Sequence, residues 1–414
     1  MVHIGLVGFG AVGFVIKQAF TMIKPRYDVL WTVYVRNPDR VRMDYGDDIL
    51  HNVTLVKCDV TTLDLTHQDT IKTMFGGLDY IVQSSLPEYN DIMMQVALIV
   101  GSHYIDLASL ITSDMLGRVS FPQRIHHDSF ANIGKIALIN AGVSPGLTEC
   151  VLAQLIYDHP HQTLSDVSII LQEQLYTDHA LPSWSPQTAI QELTTDPVRI
   201  ENGRKISCRP FANDMKQRLV YKDEYGVNDF IMNHYPLFQE ELMSIYDQYP
   251  HIVSCKMYTG GGEVQQLKTL YDFGLLSDVL IDGLSQTFKE LIIKQALPTA
   301  TRKQMIEAYT HHHIDTLYFG AIISAGFESG HYQKTISFDY QGRRSLEGTP
   351  CRGATYISFP TGYALACMLD NLICMQNAFL GGVYSVFDWA LLYPFWTSSV
   401  LQQTQQGGII IKDI

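Results

Sequence analysis

Three glycines near the start of the chain, Gly8, Gly10 and Gly13, have the spacing G-x-G-x-x-G with Phe9, Ala11 and Val12 between them. In a strand-to-helix turn Gly8 permits the sharp bend, Gly10 lets a pyrophosphate approach the backbone, and Gly13 lets the helix lie close to the strand. The helix start then offers free N–H groups and a partial positive charge to the phosphates. Gly8, Gly10, Ala11, Val12 and Gly13 are therefore the candidate cradle of a dinucleotide. Further along, the strand that would carry an acid for a ribose 2′-OH ends instead in Val35-Arg36, with Arg40 and Arg42 close behind. An arginine there can hold a 2′-phosphate, so NADP is favoured over NAD. The other reading of Arg36 is a solvent-facing side chain stacked on adenine. Asp59 either faces the adenine edge or caps the next turn. Ser84-Ser85-Leu86, in a loop at the carboxyl end of a strand, is where nicotinamide ribose and substrate meet in such an architecture. Asp106 is either a polar group near ribose or substrate or a helix cap. Asn140, Ser144 and Thr148 lie in Asn-Ala-Gly-Val-Ser-Pro-Gly-Leu-Thr, which runs directly into a helix; they either present polar groups to the substrate, Asn140 also to the cofactor, or cap that helix.

Two other groups read as inert. His311-His312-His313 points three ways on a helix and has no complementary ligands at metal spacing, so no metal is expected. Seven cysteines are scattered without C-x-x-C spacing and read as reduced thiols; Cys150, just after Pro-Gly, reads as buried rather than reactive.

These residues need an α/β framework. Ile4–Val7, Val29–Val35, Val53–Val56, Leu78–Gln83, Tyr104–Ala108 and Ala137–Asn140 read as strands. Helical patterns alternate with them, at 14–23, 69–75, 91–100, 114–133 and 149–157. That alternation predicts a Rossmann-type doubly wound parallel sheet over residues 1–150. Residues 151–358 change character, with alternating runs at 167–171, 252–258, 317–323 and 335–340. The last two runs are joined by a hairpin turn at 327–331, and helices are expected at 282–295 and 302–309. This predicts an inserted α+β substrate-binding and dimerisation domain. Residues 359–414 are expected as C-terminal helices packing back on the Rossmann domain.

With 46% hydrophobic and 17% charged residues, the 414-residue chain can bury large cores. A net charge of −13 argues against a nucleic-acid surface. The most apolar stretch, 378–396, is broken by Gly381-Gly382, Asp388 and Pro394, so no membrane span is expected. The chain enters a strand at once, so no signal peptide is expected and a cytoplasmic location is the default expectation.

The order of Gly8-Phe-Gly-Ala-Val-Gly13, Ser84-Ser-Leu-Pro-Glu-Tyr89, His103-Tyr-Ile-Asp106 and Ala141-Gly-Val-Ser-Pro-Gly-Leu147 resembles the saccharopine dehydrogenase-like family. That family includes saccharopine reductases and carboxynorspermidine dehydrogenases and, more distantly, homospermidine synthase and lysine 6-dehydrogenase. The likeness continues more faintly through Trp184 to Glu192, Tyr258 to Glu263 and Pro360 to Tyr363. It implies an NAD(P)-dependent enzyme that condenses an amine with a carbonyl and reduces the imine to a secondary amine. The expected partners are small-molecule amine and carbonyl substrates of amino-acid or polyamine type, with a homodimer as the assembly. Such chemistry needs carboxylates for a cationic amine and a group that moves a proton. Glu192 and Glu263 are the amine-holding candidates, with Asp106 and Ser144 beside the reacting groups. Relatives have Asp where this chain has Ser144, so the substrate is expected to differ. The alternatives are a homoserine dehydrogenase-like enzyme, which also opens on G-F-G-x-V-G, and an NAD(P)-sensing protein without turnover.

Overall fold

The structure is a computed structural model that describes residues 1–109, 121–178, 181–183, 185–212, 215–223, 226–295, 299–311, 314–338, 346–375 and 379–414. Trp184, His312 and His313 lie outside the described residues. The chain first alternates strictly: β1 (Val2–Val7), α1 (Ala11–Ile23), β2 (Val29–Val35), α2 (Pro38–Tyr45), β3 (Val53–Lys57), α3 (Gln68–Phe75), β4 (Tyr80–Gln83), α4 (Asn90–Val100), β5 (His103–Asp106), α5 (His127–Asn132), β6 (Ile136–Ile139) and α6 (Leu147–Asp158). The second part holds β7 (Asp166–Thr177), α7 (Pro186–Thr194), β8 (Val198–Glu201), β9 (Arg204–Ser207), β10 (Met215–Asp223), β11 (Gly226–Pro236), α8 (Glu240–Gln248), β12 (Ser254–Gly260), α9 (Gly262–Asp272), α10 (Phe288–Gln295), α11 (Arg302–Thr310), β13 (Ile314–Phe327) and β14 (Gly330–Phe338). It closes with α12 (Ser358–Met375), β15 (Gly382–Ser385), α13 (Val386–Leu392), α14 (Pro394–Gln406) and β16 (Ile409–Asp413).

Among the described residues the strands form two sheets. The first is parallel, in the order β15-β6-β5-β4-β1-β2-β3. The order reverses between β1 and β4, which leaves a crevice at their carboxyl ends, the usual ligand position of a doubly wound sheet. Its central strands are apolar throughout: Ile4, Leu6, Ile81, Val82 and Ile136 to Ile139 are fully or almost fully buried, as expected where helices cover both faces. The second sheet is mixed, in the order β10-β11-β12-β7-β13-β14-β16, with β8 pairing on β12 and β9 on β8. The expected hairpin is present as β13 and β14, turning at Phe327–Gly330.

The final segment departs from an all-helical reading. After α12 it supplies β15 to the first sheet, beside β6, and β16 to the second sheet, beside β14. Gly382-Val-Tyr-Ser385 is a short apolar run, which periodicity alone does not separate from helix. The helix expected over 282–295 begins only at Phe288. Thr287 and Glu290 set that start: each side chain accepts a hydrogen bond from the other's backbone N–H. Gly362 in α12 lets that helix lie on α1, where an added Cβ would meet Val15 Cβ at 2.7 Å. No helix among the described residues is long and apolar enough to cross a membrane.

Candidate functional site

The glycine turn divides its labour between fit and vacancy. Gly8 has φ +90°, and a Cβ there would meet the backbone of Ser84 and Ser85 at 3.0–3.1 Å. A Cβ on Gly13 would meet Gly8 O at 2.7 Å and Ser84 Oγ at 3.0 Å. A Cβ on Gly10 would meet nothing within 4 Å. The first and third glycines are thus required by packing, while the second faces open space. Gly10 is also the N-cap of α1 without a side-chain cap, so the first-turn N–H groups of Ala11, Val12 and Gly13 remain available to an anion. Ser84 fastens this turn to the next strand, its Oγ lying within bonding distance of the carbonyls of Val7 (3.1 Å) and Gly8 (2.9 Å). Buried Gln83 shapes the following loop by accepting from Ser85 Oγ and donating to Leu86 O.

Arg36 stands exposed at the end of β2 and makes no hydrogen bond or ion pair with the described residues. Arg40 and Arg42, by contrast, pair with Asp44 and Asp39 on α2. Asp59 caps the turn after β3, accepting from the N–H and Oγ1 of Thr61. Those bonds, with Arg36 nearby, hold its carboxyl below the usual range. A hollow of about 420 Å³ lined by Lys57, Cys58, Asp59, Thr62 and His67 opens beside it, within the size range of ligand pockets.

At the next strand ends the polar residues serve one another. Asp106 is buried and caps no helix. It accepts from Asn140 N (2.8 Å) and Tyr104 Oη (3.2 Å), and burial pushes its carboxyl up to about 7. Its bond holds Asn140 at φ +66°, a sparsely populated conformation for a residue other than glycine. Gln123 Nε2 donates to Ser109 Oγ, which donates to Asn140 Oδ1, while the buried amide nitrogen of Asn140 has no partner among the described residues. Such an orphaned donor is costly unless a ligand oxygen meets it.

The turn from Ala141 to Leu147 then meets the second lobe. A Cβ on Gly146, at φ +124°, would meet Gly142 O at 2.3 Å. Ser144, partly exposed, lies within bonding distance of Gln239 Oε1 (3.2 Å) and of Glu241 Oε1. Gln239 Nε2 donates to Glu192 Oε2 (3.2 Å). Thr148 Oγ1 donates to Glu241 Oε1 (2.9 Å), so neither Ser144 nor Thr148 caps α6; Gly146 occupies that position. Glu240 accepts from Ser109 N (2.8 Å). Glu149 and Glu241 are fully buried, and both oxygens of Glu149 and Oε2 of Glu241 have no partner among the described residues. Burial pushes Glu192 up to about 8, and it pushes Glu149, Glu240 and Glu241 upward as well. Mutual repulsion adds to the rise at Glu149, Glu192 and Glu240.

Glu192 also lines a cleft with Leu86, Pro87, Ser109, Gln187 and Thr188, so residues of both lobes form its walls. The described lining contains no lysine or arginine. The sequence candidates Glu192 and Ser144 are thus joined through Gln239. Glu263 belongs to a different group: it accepts from Ser183 N and Oγ, while Tyr356 Oη donates to the neighbouring buried Glu173. Burial raises both carboxyls. Cys150 is fully buried and its thiol is pushed up, which makes it unreactive. Among the described residues no group of three or more His, Cys, Asp or Glu side chains could hold a metal ion.

Sequence reasoning missed Glu149, Glu173, Gln239, Glu240, Glu241 and Tyr356. Gln239-Glu-Glu241 reads as ordinary acidic decoration of a helix start. A better signal is its place directly after the buried Leu237 and Phe238, which draws the three residues inside.

A comparison with models of protein families finds no match. The chain is 22% identical over 283 residues to the carboxyaminopropylagmatine dehydrogenase of Synechocystis sp., a match spanning 66% of this chain and 67% of that one. In fold it is similar to the apo saccharopine dehydrogenase (L-Glu forming) of Saccharomyces cerevisiae, with a TM-score of 0.65 at 12% identity over 100% of both chains. The sequence match is thus to a dehydrogenase, and the fold is shared with a saccharopine dehydrogenase.

Proposed function

We propose that the chain is a nicotinamide-dependent oxidoreductase that joins an amine to a carbonyl compound through an imine and reduces it to a secondary amine, reversibly. The observation that carries this reading is an open anion cradle at Gly10, with a separate cleft that Glu192 lines beside Leu86 and Pro87. The open face at Gly10, the free N–H groups of α1 and the orphaned Asn140 amide fit a dinucleotide. Bound there, the nicotinamide would supply hydride. Arg36 would meet a 2′-phosphate, which favours NADP.

Opposite, Glu192 would hold the cationic amine. With its carboxyl raised to about 8, it is also suited to take the proton that frees the amine lone pair. Leu86 and Pro87 shield the cleft from water. An amino-acid or polyamine substrate fits this charge. The relative from Synechocystis, named for a substituted agmatine, supports the same choice.

The test is NADPH oxidation by the full chain with amines paired against short semialdehydes and keto acids. Turnover that requires both partners is expected. Oxidation with the carbonyl compound alone would make the enzyme an alcohol dehydrogenase. Cofactor binding without turnover on any pair would favour a sensing protein.

A further inference from the structure

Ser144 has one hydroxyl proton and two oxygen neighbours within bonding distance, Gln239 Oε1 and Glu241 Oε1. The amide of Gln239 is oriented by its other end, since Nε2 donates to Glu192. One proton cannot serve both acceptors: with Ser144 donating to Gln239 Oε1, the Ser144–Glu241 contact is a hydrogen bond only when Glu241 itself carries a proton and donates it. The bonds then run one way: Glu241 to Ser144, Ser144 to Gln239, Gln239 to Glu192. The surroundings favour that neutral Glu241. It is fully buried, its Oε2 has no partner, and Glu149 and Glu240 are its close acidic neighbours. The other groups on it are the Thr148 hydroxyl, Glu192 and, from β12, Cys255. No cation faces it among these groups, so a charge there would stand uncompensated.

Resting on the proposed amine–carbonyl chemistry, we propose that Ser144 and Glu241 form the proton relay that expels water from the carbinolamine. The carbinolamine hydroxyl replaces Gln239 Oε1 as acceptor of the Ser144 proton. Ser144 passes its proton to that hydroxyl while Glu241 passes its own to Ser144 Oγ. The C–O bond breaks with its electron pair leaving on oxygen, as water, and the nitrogen lone pair closes the C=N bond. A neutral acid and a neutral carbinolamine thus become a carboxylate, a cationic iminium and water, so atoms and charge balance. The iminium forms between Glu192 and the new Glu241 carboxylate, both of which stabilise it. Hydration in the reverse direction returns the proton to Glu241. Ser144 touches the reacting oxygen; Glu241 acts through it.

The test compares steady-state kinetics of the full chain as wild type, Ser144→Ala, Ser144→Thr and Glu241→Gln, with NADPH affinity measured by fluorescence as the control for folding. Ser144→Ala and Glu241→Gln are expected to lose about 100-fold in kcat with little change in KM for the amine or in NADPH affinity. Ser144→Thr keeps a hydroxyl and should retain most of kcat, a rescue that a purely structural serine would not require. Retention of kcat in both Ser144→Ala and Glu241→Gln overturns the relay, as does a loss confined to KM. Should Ser144→Ala fail to bind NADPH, Glu241→Gln against Ser144→Thr decides on the same criteria. A wild type that binds NADPH but turns over no amine–carbonyl pair instead overturns the proposed function, and the relay falls with it.

Discussion

The two candidate binding walls are built by opposite means. The nucleotide wall is made of backbone: glycines without side chains, the unpaired N–H groups of α1 and the end of a helix dipole, with Arg36 at its rim. Its charge is positive and diffuse, and its residues are contiguous in sequence. The acidic wall is made of side-chain carboxyls brought from α6, α7 and α8, with hydroxyl and amide groups between them. Its carboxyls are concentrated and poorly solvated, and burial favours their neutral form. On the proposed function, the first wall would recognise an anion by shape, and the second would hold protons until a cation arrives.

The contrast is broken most sharply at Gly10. Because its Cβ direction is empty, Gly10→Ala should leave thermal stability near that of the wild type while weakening dinucleotide binding about 100-fold. Gly13→Ala should behave differently, since its Cβ meets a backbone carbonyl at 2.7 Å. It is expected to cost about 1–3 kcal/mol of stability through overpacking. Calorimetric melting together with cofactor titration separates the two. Equal destabilisation by both variants would mean that Gly10 is a packing residue and that its open face is no cradle.

On the acidic wall the matching change is Glu192→Gln. It keeps the shape and removes the charge, so KM for the amine should rise, or kcat fall, by about 10-fold to 100-fold with NADPH affinity unchanged. Unaltered kinetics would remove Glu192 from the amine site and leave the wall as structure alone. At the rim of the other wall, Arg36→Asp should weaken NADPH about tenfold while NADH changes little, the value of one charge-assisted contact to a phosphate. Parallel losses for both cofactors would leave Arg36 as a stacking residue with no part in the choice.

How much of each wall could be read from the sequence follows from the same contrast. The glycine turn, its strand and its helix lie within the first 23 residues, so their meaning is local and the whole doubly wound sheet follows from repeating that unit. Glu192 and Ser144 were visible as separate candidates. Their connection through Gln239, and the carboxyls of Glu149 and Glu241 near Ser144, depend on the starts of α6 and α8 and the last turn of α7, which are distant in sequence. No periodicity reports that meeting. Local signals were also left unread: Thr287-x-x-Glu290 marks the true start of α10, and Ser385-x-x-Asp388 marks the start of α13 just after an unexpected strand.

The smallest expected effect is on stability, and it tests the whole acidic wall at once. Asp106, raised to about 7, and Glu192, raised to about 8, bind protons more tightly folded than unfolded, where carboxyls titrate at about 4. Groups of this sign contribute stability that is fully present below the unfolded value and is lost as pH rises through the folded one. The protein without ligand should therefore melt progressively lower between about pH 4 and pH 8, with a total fall of several degrees. Asp59 on the nucleotide wall is shifted the other way but is solvent-exposed, so it cannot offset that trend. A cationic amine placed against Glu192 supplies the missing counter-charge. Its stabilising effect should therefore be larger at pH 8.5 than at pH 6, and the pH slope of Glu192→Gln should be shallower than that of the wild type. A melting temperature that stayed flat or rose over this range would show that the carboxyls are solvated in the apo protein, and the acidic wall would lose the strain that makes it a cation site.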